Sequence, residues 1–268
     1  MPVSRSPSRN AEPAPRSRSY WPVVLIGLAA VLAVIIAVLP ASIITHFLPP
    51  SVRAEDFSGS IWHGSAGKIS VNARDAGALE WRLHPAALLS MDVAADVHWV
   101  KVGFVVDGAV KLDRQGLTAH AVKGGGPIED LQDFGVAPGW RGTATVDFSE
   151  LKSDLIKVLI AVGDLRVSNL TAAEIAQGAN LGSYQLRLPE GAIGTDGSVT
   201  AQLTDTGGPL ELKATISYSA AERTGLLSGT LRERADAPAA LLEQLEGIVQ
   251  LRGRDPQGRI PVDLEFSL

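Results

Sequence analysis

Hydrophobic and polar positions follow two different patterns along the 268 residues, and the change falls near residue 50. Residues 21–39 carry no charge and are apolar on every face that a helix would present. After Pro49 and Pro50, apolar and polar residues instead alternate with a period of two. A long uncharged run predicts a membrane-spanning helix, whereas alternation predicts strands with one buried face.

The apolar run has the length of a transmembrane anchor. A helix rises about 1.5 Å per residue, so residues 21–39 would cross the roughly 30 Å hydrocarbon layer of a bilayer. By the positive-inside rule, the arginines before the run keep the N-terminus in the cytoplasm. We therefore expect a basic cytoplasmic tail at 1–19, an anchor and juxtamembrane segment at 20–48 in contact with inner-membrane lipid, and a periplasmic domain at 51–268. The anchor side chains would be Trp21, Val23, Leu25, Ile26, Leu28, Val31, Leu32, Val34, Ile35, Ile36, Val38 and Leu39.

Two other interpretations of this run are a cleaved signal peptide and a buried core helix. Ala41 could precede a cleavage site, but signal peptides have apolar runs of about 7 to 15 residues and a small residue where Leu39 stands. A core helix would show a polar face, which this run lacks. An uncleaved anchor agrees best with the pattern.

The alternation after residue 50 predicts antiparallel hairpins. Residues 105–112 and 117–122 alternate on either side of the turn residues 113–116. Similar segments lie at 142–148, 184–188, 198–203 and 210–218. The predicted fold is mainly β: a single transmembrane helix followed by an antiparallel, hairpin-rich periplasmic domain with a few short helices.

Helical periodicity is clearest at 238–249. Its leucines and isoleucine are expected to share one face, and Asp236 is expected to cap its N-terminus; the residues of that face are Leu241, Leu242, Leu245 and Ile248. Shorter helical segments are predicted at 85–89, 151–162 and 170–177. Residues 81–89 resemble the strand that ends near Glu233 and the helix that follows it, which suggests a duplicated unit of strand plus helix.

Composition narrows the possible functions. The chain has no cysteine, which excludes disulfides, thiol catalysis and cysteine-ligated zinc. The net charge is −5 although the first twenty residues are basic, so the exported part is acidic. An acidic body cannot neutralise phosphates, and we expect no nucleic-acid partner.

No motif for catalysis, a metal or a cofactor is present. The histidines lie at least fourteen residues apart, too far to place two zinc ligands on one helix face: His46, His63, His84, His98 and His120. Residues 64–68 lack the glycine spacing of a phosphate-binding loop. Four carboxylates stand in turn-like or alternating segments, where a turn-forming or solvated role is expected: Asp107, Asp147, Asp196 and Asp205. Four tryptophans stand in strand-like or turn-like segments, where a packing role is expected: Trp62, Trp81, Trp99 and Trp140. We expect no enzymatic activity and no cofactor.

Several short motifs, in this order, resemble the type II secretion system protein N family. The end of the anchor, with residues 39–42 and 47–49, resembles the opening of that family. Residues 57–66 read FSGSIWHGSA and are similar to one of its strands. Residues 79–89 (LEWRLHPAALL) and 206–210 (TGGPL) resemble two further family motifs, and the segment from 241 onward resembles its closing helix, turn and strand. The signature residues are Gly59, Trp62, Gly64, Trp81, Pro85, Gly207, Gly208 and Pro209.

The resemblance implies a non-enzymatic, bitopic inner-membrane component of the machine that moves folded proteins across the outer membrane. Its implied partners are other type II secretion components, such as the secretin and the inner-membrane platform proteins. The alternative is an AsmA-like envelope protein that binds or guides lipid along an apolar β trough, which would show as a continuous apolar face on successive strands. An exported enzyme is the third possibility, and every motif test opposes it.

Overall fold

A computed structural model describes residues 38–134, 136–154, 157–219 and 221–267. The chain divides into two units, Met1–Leu39 and Pro40–Leu268, and the second contains the sheet. The predicted tail lies outside the described residues, as do all of the predicted anchor residues except Val38 and Leu39. Within the described ranges, no helix combines the length and the apolar character that crossing a membrane requires.

One antiparallel sheet of thirteen strands makes up the second unit, and its strands are ordered as they occur in the sequence. The sheet confirms the mainly β, antiparallel prediction, and the hairpin predicted around residues 113–116 is β5–β6. The strands are β1 Val52–Gly59, β2 His63–Val71, β3 Arg74–Leu83, β4 Val93–Lys101, β5 Phe104–Asp113, β6 Gly116–Pro127, β7 Trp140–Ser153, β8 Val158–Ala172, β9 Asn180–Leu188, β10 Val199–Gly207, β11 Leu210–Ser219, β12 Thr224–Glu233 and β13 Ile260–Ser267.

Because each strand reverses the direction of the last, the connections alternate between the two ends of the sheet. At one end, which we call the Pro40 end, Pro40 forms a β-bridge with Ser60 in the β1–β2 connection. A 3-10 helix, Ala41–Phe47, follows Pro40 and contacts β1 and β2. Ala41 is fully buried, so the segment after the predicted anchor is part of the sheet domain.

The opposite end, which we call the α1 end, carries the only α-helix among the described residues, α1 Ala239–Arg252, between β12 and β13. The 3-10 helices Ile128–Phe134 and Ala176–Gly178 lie at the same end, and Pro85–Ser90 lies at the Pro40 end. The helical segment predicted at 85–89 is thereby confirmed.

Helix α1 differs from its prediction in two respects. The N-cap residue is Pro238, which is extended and makes no side-chain capping bond, so Asp236 does not cap the helix. Only Leu241 and Leu245, one turn apart, are buried against the sheet, whereas Leu242 and Ile248 are exposed. The buried stripe is therefore narrower than the apolar periodicity suggests.

Two other helical predictions are wrong or displaced. In the segment 151–162, residues 151–153 end strand β7 and residues 158–162 begin strand β8. Within 170–177, strand β8 continues to Ala172, and the helical turn is only Ala176–Gly178. The segment 151–162 has apolar residues on both faces of its strands, a pattern that imitates helical periodicity over short windows.

Candidate functional site

The register of the sheet aligns one apolar residue from every strand in a single row. Directly opposed residues lie on the same face, so following the pairs from strand to strand traces that row across the sheet. We call it the apolar row: Phe57, Ala66, Leu79, Trp99, Val106, Gly124, Val146, Leu165, Leu186, Leu203, Ala214, Gly229 and Val262. Apart from the indole N–H of Trp99, its side chains carry no polar group, so this row is apolar from β1 to β13.

The neighbouring row lies on the other face and is polar in every strand. We call it the polar row: Ser58, Ser65, Glu80, His98, Asp107, Lys123, Asp147, Asp164, Arg187, Gln202, Thr215, Ser228 and Asp263. Polar contacts join its neighbours: a hydrogen bond between His98 Nδ1 and Asp107 Oδ1 at 2.7 Å and an ion pair between Arg187 Nε and Asp164 Oδ1 at 3.1 Å. This face is therefore the solvated one.

Most of the apolar row is only half-buried. Ala66 and Ala214 are buried, but the larger side chains, such as Leu186 and Leu203, retain part of their exposure. Among the described residues, most of the buried hydrophobic side chains are alanines, and Ile260 is the largest that is completely buried. A sheet face covered by a second layer would bury its large residues instead, so much of this face is accessible.

Helical segments cover part of the face at the α1 end, among them α1, the 3-10 helix Ile128–Phe134 and Ala176 of the 3-10 helix Ala176–Gly178. Leu241 and Leu245 of α1 pack with Leu210, Ile260 and neighbouring strand residues. The second segment, Ile128–Phe134, packs on Phe104 and Ala144 in a separate cluster. The helical cover of the apolar face that these clusters show therefore lies at the α1 end.

A buried lysine holds the second segment in place. Lys101 is 4% exposed, and its Nζ donates to the Asp75 carbonyl at 2.5 Å and to Asp133 Oδ2 at 2.6 Å. The backbone N–H of Gly103 donates to Asp130 Oδ2 at 3.1 Å. These bonds join strand β3 and the β4–β5 connection to the 3-10 helix, so the cover at this end is fixed by charge-assisted hydrogen bonds.

The first group of signature residues builds the β1–β2 hairpin at the Pro40 end. Gly59 has a φ of +79°, and the hairpin closes by the bond from Ser60 N–H to the His63 carbonyl. The Trp81 ring crosses Gly64 so closely that a Cβ there would lie 2.6 Å from Cζ2, and its Nε1 donates to the Ile61 carbonyl at 2.9 Å.

The same hairpin also binds the strands beside it. Leu83 N–H donates to the Trp62 carbonyl at 2.8 Å, two residues before Pro85 begins its 3-10 helix. Phe57 meets the Trp81 ring edge-on, with centroids 6.4 Å apart. Five of the signature residues thus meet at the Pro40 end, which sequence spacing alone could not reveal.

The second group forms the β10–β11 turn at the α1 end. Gly207 and Gly208 have φ values of +152° and +119°, and Gly208 approaches Gly182 so closely that a Cβ would overlap its Cα. Pro209 follows and is buried. The carbonyl of Gly208 accepts a bond of 2.7 Å from Arg234 Nη1.

An ion pair on the apolar face stabilises this turn. Asp205, whose side chain is 7% exposed, accepts from Arg234 Nη2 at 2.5 Å and from the Leu212 N–H at 2.9 Å. Burial, with the nearby Asp205 carboxylate, raises the pKa of Tyr184 to about 12. The phenol stays protonated and donates to the Leu181 carbonyl at 2.6 Å. Each of these polar groups has a structural partner.

The spacing of the histidines in the sequence does not show which of them come together in the sheet. His63 and His98 occupy the polar face of the sheet, and they line a shallow open groove with Glu80, Arg82 and Asp107. His84 Nε2 lies 3.1 Å from Asp96 Oδ2. The described part of the chain contains no group of three or more histidine or carboxylate side chains placed to hold a metal ion.

Comparison with known proteins gives one match. The profile of the family described as "Type II secretion system (T2SS), protein N" matches residues 50–263, from just before β1 into β13. Searches of curated proteins and of solved structures returned no significant match. The matched range covers well over half of the chain and includes both signature groups.

Proposed function

Because the chain belongs to the type II secretion system protein N family, we propose that it is a non-enzymatic component of that system, anchored in the inner membrane and supporting the export of folded proteins across the outer membrane. As a type II secretion protein it is a component of the cell envelope. The proposed topology has the 1–19 tail in the cytoplasm, a single-pass anchor and juxtamembrane segment at 20–48, and the sheet domain at 51–268 in the periplasm.

The observation that supports a partner role is the pair of open sheet edges. Within the described residues, β1 and β13 each pair with a strand on one side only. Their outer N–H and C=O groups can therefore bond an added strand, a common mode of protein recognition. In this proposal the edges bind other type II secretion components, the secretin or the platform proteins.

Photo-crosslinking in secreting cells tests the edge contact. A strand added to β13 would bring partner side chains to about 5 Å from a residue of that strand. We expect a photoreactive residue in place of Leu264 to form adducts with type II secretion proteins, identified by mass spectrometry. Leu227 on β12 lies directly opposite Leu264 on the same face but one strand further in, so it serves as the matched control. Equal adducts at both positions, or lipid adducts alone at Leu264, would contradict the proposal.

The apolar row favours a second candidate, the binding of lipid acyl chains. Twisted sheets of more than about ten strands curl, and curling around the face that carries the helices would make a trough. A continuous half-buried apolar face is the feature that a lipid-guiding protein requires. The two functions are compatible, because an edge and a face can be occupied together.

Two neighbouring residues on opposite faces test the lipid proposal. Leu186 lies in the apolar row and Arg187 in the polar row. In vesicles containing a photoactivatable phospholipid, we expect Leu186→Gln to reduce the lipid adducts on β8–β10 several-fold, because an amide side chain disfavours contact with acyl chains. Arg187→Gln should leave them unchanged. Similar adduct yields in both variants would exclude an acyl-chain site on this face.

A further inference from the structure

Exposed apolar side chains are concentrated at the Pro40 end of the sheet. The connection between β3 and β4 holds Leu89, which is 91% exposed, and Met91, which is 75% exposed. In the 3-10 helix Pro85–Ser90, no residue is buried. We call the whole set the apolar rim: Leu88, Leu89, Met91, Val93, Leu112, Leu117 and Val158.

The rim continues from strand to strand. Val93 is paired with Leu112, and Leu112 with Leu117, so three of its members are adjacent in β4, β5 and β6. Val158 begins β8 beyond the next connection. Leucine and methionine side chains arranged in such a patch would cost free energy in water, which indicates that something apolar covers them.

The position of Pro40 identifies what lies nearby. Pro40 follows Leu39, the last residue of the proposed anchor, and its bridge to Ser60 joins it to the β1–β2 connection. The Trp62 carbonyl in that connection accepts from Leu83 N–H, immediately before the rim begins. Pro40, the first residue of the sheet unit, therefore lies at the end of the sheet that carries the rim.

We infer that the apolar rim rests in the interfacial layer of the membrane in which the chain is anchored, so that the open end of the apolar face is directed at the lipid. Arg114 in the β5–β6 turn lies beside Met91, with Nη2 3.2 Å from Sδ, where a guanidinium would meet lipid phosphates. The cover at the α1 end then lies away from the bilayer. The inference rests on the proposed inner-membrane anchoring.

The cysteine-free sequence allows a direct test with single labels. The full-length variants Leu89→Cys and Leu251→Cys would each carry an environment-sensitive fluorophore and be reconstituted in phospholipid vesicles containing a nitroxide lipid. Leu251 in α1 is a matched control, because it is 88% exposed but lies at the opposite end of the sheet. We expect blue-shifted emission and several-fold stronger quenching at position 89 than at position 251.

Equal quenching and equal emission at the two positions would overturn the inference. Flotation of the vesicles after alkaline extraction tests the proposed anchoring separately, because a chain without a membrane anchor would not float with the lipid. Equal quenching in a chain that does float would therefore contradict the rim inference alone. Far-UV circular dichroism of both labelled proteins checks that the sheet is retained. Both labels replace exposed residues, so neither disturbs the core.

Discussion

Replacing Gly208 by alanine is expected to lower the free energy of unfolding by about 3 to 4 kcal/mol, from overpacking together with backbone strain. The φ of Gly208 is +119°, which side-chain-bearing residues rarely adopt, and the new Cβ would overlap the Cα of Gly182. Both obstacles lie in the backbone, so no side chain can move aside. Urea unfolding of the purified protein, followed by tryptophan fluorescence, measures the loss.

Gly247→Ala is the control for this experiment. Gly247 lies in α1 with no atom within 4 Å of an added Cβ, so alanine should stabilise the helix by up to about 1 kcal/mol. A Gly208→Ala protein that unfolds at the same urea concentration as the original would show that the β10–β11 turn does not approach Gly182.

Trp81→Ala is expected to lower the free energy of unfolding by about 3 kcal/mol. This is the low end of the range for replacing tryptophan by alanine, because the Trp81 side chain is half-buried. The substitution removes the ring that covers Gly64, its edge-on contact with Phe57 and the hydrogen bond to the Ile61 carbonyl. The same urea titration measures the change, with the remaining tryptophans as reporters.

Trp81→Phe separates packing from hydrogen bonding. Phenylalanine keeps an aromatic ring over Gly64 but has no N–H, so the expected loss is about 1 kcal/mol for one hydrogen bond. If the alanine and phenylalanine variants lose equal stability, the hydrogen bond to Ile61, rather than the ring contact, determines the role of this signature residue.

Alternation along the chain was sufficient to predict many of the strands, because each strand has one apolar and one polar face. The β5–β6 hairpin follows directly from residues 105–122. The prediction failed at 151–162, where Ile160 lies on the polar face opposite Lys152 and interrupts the alternation. Such residues on the solvated face make a strand pair resemble a helix.

The candidate site was less predictable than the strands. Sequence alternation shows which residues share a face within one strand, but the register decides which residues of different strands become neighbours. The alignment of Leu79 with Trp99 and Val106 therefore required the structure. The proximity of His63 and His98 also required the structure, because the separation of two residues in sequence says little about their distance across a sheet.

The structural roles of the signature residues could not be predicted from the sequence either. Their order along the chain indicated the family, but gave no reason for their identities. Gly64 is explained by the Trp81 ring and Gly208 by the Gly182 backbone, each a contact between different strands. The Asp205–Arg234 pair was not predicted as a pair, because its members stand 29 residues apart.

The order of the strands in the sheet has a consequence for how the protein acquires its structure. Each strand pairs with strands that are adjacent in sequence, so the contacts are local and the entropy lost in closing loops is small. In the proposed topology, the chain crosses the membrane from its N-terminus onward and can add one hairpin at a time to a growing sheet. In that topology β13 would emerge last, so the edge that we propose as a binding site would exist only once translocation is finished.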